Sequence, residues 1–111
     1  MRKEICLSKL AYARSGDKGS SSNIGVIAYT KEDYDFLKNE LTTEKVAQFF
    51  HSLQPQKVIR YELPNLLAFN FVLVNVLAGG GSRSLRIDAQ GKALGQAILE
   101  MKFLSPEKNH E

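Results

Sequence analysis

The run ARSGDKGSSSNIG, residues 13–25, separates two apolar segments and gathers the densest concentration of small and polar residues in the chain. Gly16, Gly19 and Gly25 open backbone conformations closed to other residues and let a ligand approach the main chain. Around them stand Arg14, Asp17 and Lys18, the hydroxyls of Ser15, Ser20, Ser21 and Ser22, and the Asn23 amide. A connection that only reverses the chain needs about two or three turn-forming residues. The run therefore reads as a loop that also carries a site, with a strand before it over residues 5–13 and a buried strand after it over residues 23–30.

Beyond this run the apolar period becomes helical. Tyr34, Leu37, Lys38 and Leu41 fall three or four apart, as do Val46, Phe49, Phe50 and Leu53, which predicts helix across residues 31–53. Thr42 suits a helix cap, so the segment reads as two helices, or one broken near Thr42, and Pro55 ends it. Residues 57–63 alternate Val58, Arg60 and Glu62 against Ile59, Tyr61 and Leu63, as a half-exposed strand requires. Pro64-Asn65 is turn chemistry. Residues 68–77 favour a strand through Val72, Val74 and Val76, making a hairpin with the strand before it; a buried helix closed by Gly79 is the competing reading. A second glycine loop, Gly79, Gly80, Gly81, Ser82, Arg83 and Ser84, leads to a helix opened by Asp88, a short strand at 101–104 and a charged tail at 105–111. Phe49, Phe50, Phe69 and Phe71 are read as core.

Strand pairs each followed by helix predict an α+β sandwich, with helices on one face of a mainly antiparallel sheet. Were the first two strands one long interrupted strand, the order would be the ferredoxin-like βαββαβ. At 111 residues one domain, 1–111, is expected, and 43% apolar with 24% charged residues excludes a disordered chain. No apolar run reaches the roughly 20 residues of a membrane span, and the start of the chain lacks a signal-peptide core. With a single cysteine, Cys6, the expected compartment is the reducing cytoplasm. The net charge of +3 is spread along the chain without basic runs interleaved with aromatics, so neither nucleic acid nor membrane is an expected partner.

Successive glycine N–H groups form anion-binding nests, and Arg83 suits a bidentate grip on phosphate or carboxylate. Arg14, Lys18 and the serines would supply a second wall. Neither loop ends in the Gly-Lys-Ser/Thr of a nucleotide-binding P-loop. Asp17 and Lys18 are read as a surface ion pair ahead of an acid–base pair, and Cys6 as a small core residue. Of the two histidines, His51 stands where it can bind carbonyls at a helix end and His110 lies in the tail, so a serine–histidine–aspartate arrangement has little to rest on. No spacing suits metal ligands, and no cofactor is expected. Asn70 and Asn75, in an apolar run, need partners if buried; they line a pocket or face an edge.

Residues LAYARSGDKG (10–19) and SNIGV (22–26), then YELPNL (61–66), NFVL (70–73), GGGSRSLR (79–86) and DAQGKA (88–93), resemble in collinear order the small ferredoxin-fold domain of the acyclic terpene utilisation protein AtuA family. The resemblance covers residues 7–103 and implies the ferredoxin-like fold and a link to breakdown of acyclic terpenoids through acyl-CoA intermediates. It departs at Ser20, where the family usually has Asp. Larger members carry a similar domain behind a much bigger one, so a separate large chain is an expected partner, as is a homo-oligomer. The expected function is binding of an anionic small molecule, a CoA thioester among the candidates, by Arg14, Ser15, Gly16, Asp17, Lys18, Gly19, Ser21, Ser22, Asn23 and the second glycine loop. The alternative is a non-catalytic interaction or oligomerisation domain that completes a larger enzyme. No catalytic residue is assigned.

Overall fold

Alternating side-chain burial along one strand sets the architecture. In β3, Ser21–Ala28, residues Ser22, Ile24, Val26 and Ala28 are buried and those between them only half-buried, the signature of a sheet with one covered face. The structure, a computed structural model, describes residues 3–18, 21–75 and 91–104. In chain order the remaining elements are β1 (Glu4–Cys6), β2 (Ala11–Lys18), α1 (Lys31–Glu40), α2 (Thr43–Phe49), β4 (Lys57–Leu63), β5 (Ala68–Val74), α3 (Gly91–Ile98) and β6 (Lys102–Leu104). Four strands form an antiparallel sheet in the order β2-β3-β5-β4, and β1 pairs antiparallel with β6 beside it. The helices pack on one face, α3 on β2, α1 on β3 and α2 on β4. This is the expected α+β ferredoxin-like architecture.

Three local expectations change. The first strand does not run unbroken through residues 5–13, because a 3-10 turn at Leu7–Lys9 separates β1 from β2. Leu7 is fully buried there, so the turn drives an apolar side chain into the core at the cost of strand continuity. The polar run is not a loop but most of a hairpin, with β2 and β3 in register from Ala11 opposite Ala28 to Lys18 opposite Ser21. β2 and β3 are therefore antiparallel neighbours and not one interrupted strand. β2 takes the edge position beside β3, and β6 pairs elsewhere, with β1. Phe49 is 38% exposed at the end of α2, its ring edge-on to the buried Phe50 at 5.0 Å. Of the contested segment, residues 68–74 are strand, paired on both sides. The second glycine loop, Asp88, the rest of the 68–77 segment and the charged tail lie outside the described residues.

Helix boundaries follow capping chemistry. Thr30 and Thr42 each accept a backbone hydrogen bond at the start of a helix, from Asp33 at 3.0 Å and Lys45 at 3.2 Å. At the far end of α1, Arg60 Nη1 donates to the carbonyls of Lys38 (3.0 Å) and Leu41 (2.9 Å), pinning the helix end to β4. Its guanidinium lies 5.1 Å above the Phe69 ring and its Nη2 donates to Glu62 at 2.7 Å. Phe69 is fully buried, and Tyr34 of α1 stacks on it at 4.6 Å. The core thus closes around a layered contact of tyrosine, phenylalanine and guanidinium.

The Tyr34 hydroxyl is buried with no hydrogen-bond partner among the described residues. Burial pushes its ionisation above the ordinary value of 10.0, and the nearby Glu62 carboxylate adds to the rise. Below that value the hydroxyl is neutral in both folded and unfolded chains. Above it only the unfolded chain ionises freely, so stability falls as pH rises. Tyr34→Phe is expected to be at least as stable as the parent at neutral pH, since it removes an unpaired polar group. It should also lose less stability than the parent above a pH of about 10; urea titrations at the two pH values check both outcomes. Phe69→Ala is expected to cost about 4 kcal/mol in the same measurement.

Candidate functional site

Strand register arranges the side chains in rows across the sheet. On the helix side stand Ser15 opposite Ile24 and Ile24 opposite Phe71, all turned to the core side. On the other side one row runs Tyr12, Ile27, Ala68, Leu63, the next Arg14, Gly25, Asn70, Tyr61, and the next Gly16, Asn23, Val72, Ile59. No described helix covers this face. Its first row is apolar. In the second and third, two glycines, Gly25 on β3 and Gly16 on the edge strand β2, withhold side chains.

Those missing side chains leave a shallow open hollow of about 320 Å³ lined by Arg14, Ser15, Gly16, Asn23, Gly25 and Asn70. A methyl group at Gly16 would sit 3.7 Å from Asn23 Oδ1, so the Asn23 amide lies across that glycine. A methyl group at Gly25 would have its nearest neighbour at 3.9 Å, the Arg14 carbonyl oxygen. The polar side chains of the lining are one guanidinium and two carboxamides, with no carboxylate among them, while Ser15 turns its hydroxyl to the helix side. Such a set donates hydrogen bonds and supplies positive charge, which suits a phosphate or a carboxylate.

The wall behind the hollow is set by a contact remote in sequence. The Gly95 N–H of α3 donates to Ser15 Oγ at 2.9 Å. Any Cβ at Gly95 would lie 3.2 Å from the Arg14 carbonyl carbon and 3.3 Å from the Ser15 nitrogen. The helix backbone therefore rests directly on the strand backbone, and a side chain at this position would have to push the two apart by a few tenths of an ångström. This contact fixes β2 from behind while Arg14 projects to the exposed side.

Of the residues expected at the site, the structure brings together Arg14, Ser15, Gly16 and Asn23. Ser22 is not among them: it is 1% exposed on the covered face, because it shares the alternation of Ile24, Val26 and Ala28. Ser21 is half-buried at the start of β3. Asp17 and Lys18 end β2, in register with Ser22 and Ser21. Gly19, Ser20 and Gly79, Gly80, Gly81, Ser82, Arg83 and Ser84 lie outside the described residues, so of the two expected walls only the Arg14 side falls among them. Gly25 and Asn70 join the site. Gly25 lies inside the polar run, and of the two expectations for Asn70, a pocket or an edge, the hollow matches the pocket. His51 is engaged at the end of α2, its Nδ1 donating to the Gln48 carbonyl at 3.2 Å. That helix packs on β4, at the opposite edge of the sheet from β2. Among the described residues, no three His, Cys, Asp or Glu side chains cluster as metal ligands. Nor is any described helix long and apolar enough to cross a membrane.

Two glycines give opposite expectations. Gly95→Val drives a branched side chain into strand backbone and is expected to destabilise the fold by about 1–3 kcal/mol. Gly25→Val enters open space in a strand and should leave stability unchanged or raised. Urea unfolding of the two variants checks the contrast.

Compared with protein-family models, the chain matches the AtuA ferredoxin-like domain over residues 5–104. No curated protein and no solved structure matches the chain.

Proposed function

The chain belongs to the AtuA ferredoxin-like domain family, and we propose that it is a binding module for an anionic small molecule held on the open face of its sheet. The observation that carries this reading is the hollow over Gly16 and Gly25, whose polar side chains are Arg14, Asn23 and Asn70 without a carboxylate. Arg14 supplies the charge and the fork of donors that matches phosphate or carboxylate oxygens. The amides of Asn23 and Asn70 add neutral donors on the same face. The glycines allow the ligand to lie against the sheet backbone. Next to the hollow, Tyr12, Ile27 and Leu63 of the neighbouring row offer apolar surface to the remainder of the molecule.

A CoA thioester combines phosphates with an apolar acyl group and is the ligand class we assign first. The corresponding role is that of an accessory domain in acyl-CoA or acyclic terpenoid breakdown, working beside a larger chain that supplies the chemistry. Nothing in the hollow acts as a nucleophile or general base in this reading. Arg14, Asn23 and Asn70 bind and orient.

Thermal unfolding in the presence of inorganic phosphate, CoA and acyl-CoA esters tests the reading. A ligand at about one hundred times its dissociation constant stabilises the fold by about 2.7 kcal/mol. The expected outcome is a rise in Tm with CoA species that Arg14→Ala and Gly25→Val both abolish, the first by removing charge and the second by filling the hollow. No rise with any of the three, or a rise that both variants retain, contradicts it.

A further inference from the structure

β4 is outermost on its side of the sheet, with β5 as its one strand neighbour among the described residues. A strand edge presents unpaired N–H and C=O groups, and proteins usually blunt it with proline, charged side chains or a bulge unless a partner strand matches those charges. From Ile59 to Leu63 β4 carries neither proline nor lysine, and its register with β5 runs unbroken from Lys57 to Leu63. Lys57 and Pro64 stand at its two ends, and the charges between them are Arg60 and Glu62.

The sequence of that edge says with what. Outward from Tyr61 the strand reads Glu62 then Leu63 in one direction, and Arg60 then Ile59 in the other. Arg60 and Glu62, opposite Phe71 and Phe69, belong to the helix side; Ile59, Tyr61 and Leu63 belong to the open side. The pattern is its own complement when reversed. We propose that β4 pairs antiparallel with β4 of a second copy about a two-fold axis at Tyr61, joining two four-stranded sheets into one.

In this register Arg60 stands opposite Glu62 of the partner subunit, and Glu62 opposite the partner's Arg60. Ile59 meets Leu63 of the partner subunit on the open side, and the two Tyr61 rings meet at the axis. Opposite charges and apolar pairs directly across an antiparallel ladder stabilise it, whereas like charges there oppose pairing. Centring the axis on Arg60 or Glu62 places like charges face to face. Moving it half a residue toward Arg60 sets Ile59 against a glutamate, and half a residue toward Glu62 sets it against Pro64; either shift puts the helices of the two copies on opposite faces of the sheet. One register therefore satisfies the whole edge, as an isologous interface requires.

Arg60 is already held for this role. Its Nη1 is fixed on the Lys38 and Leu41 carbonyls, and its Nη2 on Glu62 at 2.7 Å, so little side-chain freedom remains to be lost on association. Beside it a hollow of about 490 Å³, whose lining includes Thr42, Glu44, Arg60 and Glu62, leaves room between β4 and the start of α2. The anion hollow is flanked by β2, at the other edge of the sheet, and stays open in such a dimer.

Sedimentation velocity on the whole chain, with two variants, tests the proposal. Tyr61 is 51% exposed, so substitutions there leave the core intact. The parent is expected to sediment as a dimer, and Tyr61→Lys, which places two ammonium groups at the axis, as a folded monomer by circular dichroism. With Cys6→Ser removing the native thiol, Tyr61→Cys should form an intermolecular disulfide on exposure to oxidised glutathione. Residues opposed across an antiparallel pair have Cα atoms about 4.5–5.5 Å apart, within the span of about 4.4–6.8 Å that a disulfide accepts. A monomeric parent overturns the proposal, as does a dimer that neither cross-links at residue 61 nor dissociates with Tyr61→Lys.

Discussion

β3 is hydrogen-bonded to a strand on each side, and the registers of those two ladders decide which face every nearby side chain takes. Side chains in a strand alternate with a period of two, so a slip of one residue would exchange the two faces completely. Burying Ile24, Val26 and Ala28 beneath the helices holds the register in place. The same register puts Asn23, Gly25 and Ile27 on the open face, beside Gly16 and Arg14 on one flank and Asn70 and Val72 on the other. The hollow is thus a consequence of core packing one residue out of phase with it. No separate device is needed to gather its lining.

Glycine within a strand weakens it, through lost backbone entropy and the absence of a side chain to pack. Gly16 and Gly25 accept that cost on the open face, where what they gain is access to the backbone. Gly95 has a different reason, since it lets α3 lie directly on the Arg14–Ser15 backbone. Front and back of β2 are consequently shaped by glycines with opposite roles, one set clearing space and one removing it. At the far edge, the Arg60 guanidinium ties the end of α1 to β4 and covers the Phe69 ring. The sheet is anchored to its helices at both margins, and its two edges differ in chemistry.

Much of this was legible in the residues. The 57–63 alternation, the Thr42 break and the β-branched run that begins at Ala68 each behave as local chemistry dictates. The polar run misled in its form because arginine, serine, glycine and aspartate favour loops, while pairing with the apolar β3 drew them into a strand. Tertiary context overrode propensity there. Counting back by twos from Ala28 through Val26 and Ile24 reaches Ser22, so its burial was available from periodicity alone. The displacement of Leu7–Lys9 into a turn was not, since a mixed face gives no period to break. Nor did any local signal mark Gly95, whose role depends on a helix and a strand eighty residues apart, in contact through the bond to Ser15.

The most direct test of the account is a heteronuclear NMR titration of the amide resonances with CoA. If the ligand sits where register and glycines place it, the shifts concentrate at Arg14, Gly16, Asn23, Gly25 and Asn70, and the helix-side residues Leu37, Val46 and Ile98 stay unmoved. Shifts that instead concentrate on the helices, or along β4 at Arg60 and Glu62, would contradict the assignment of the open face as the binding surface.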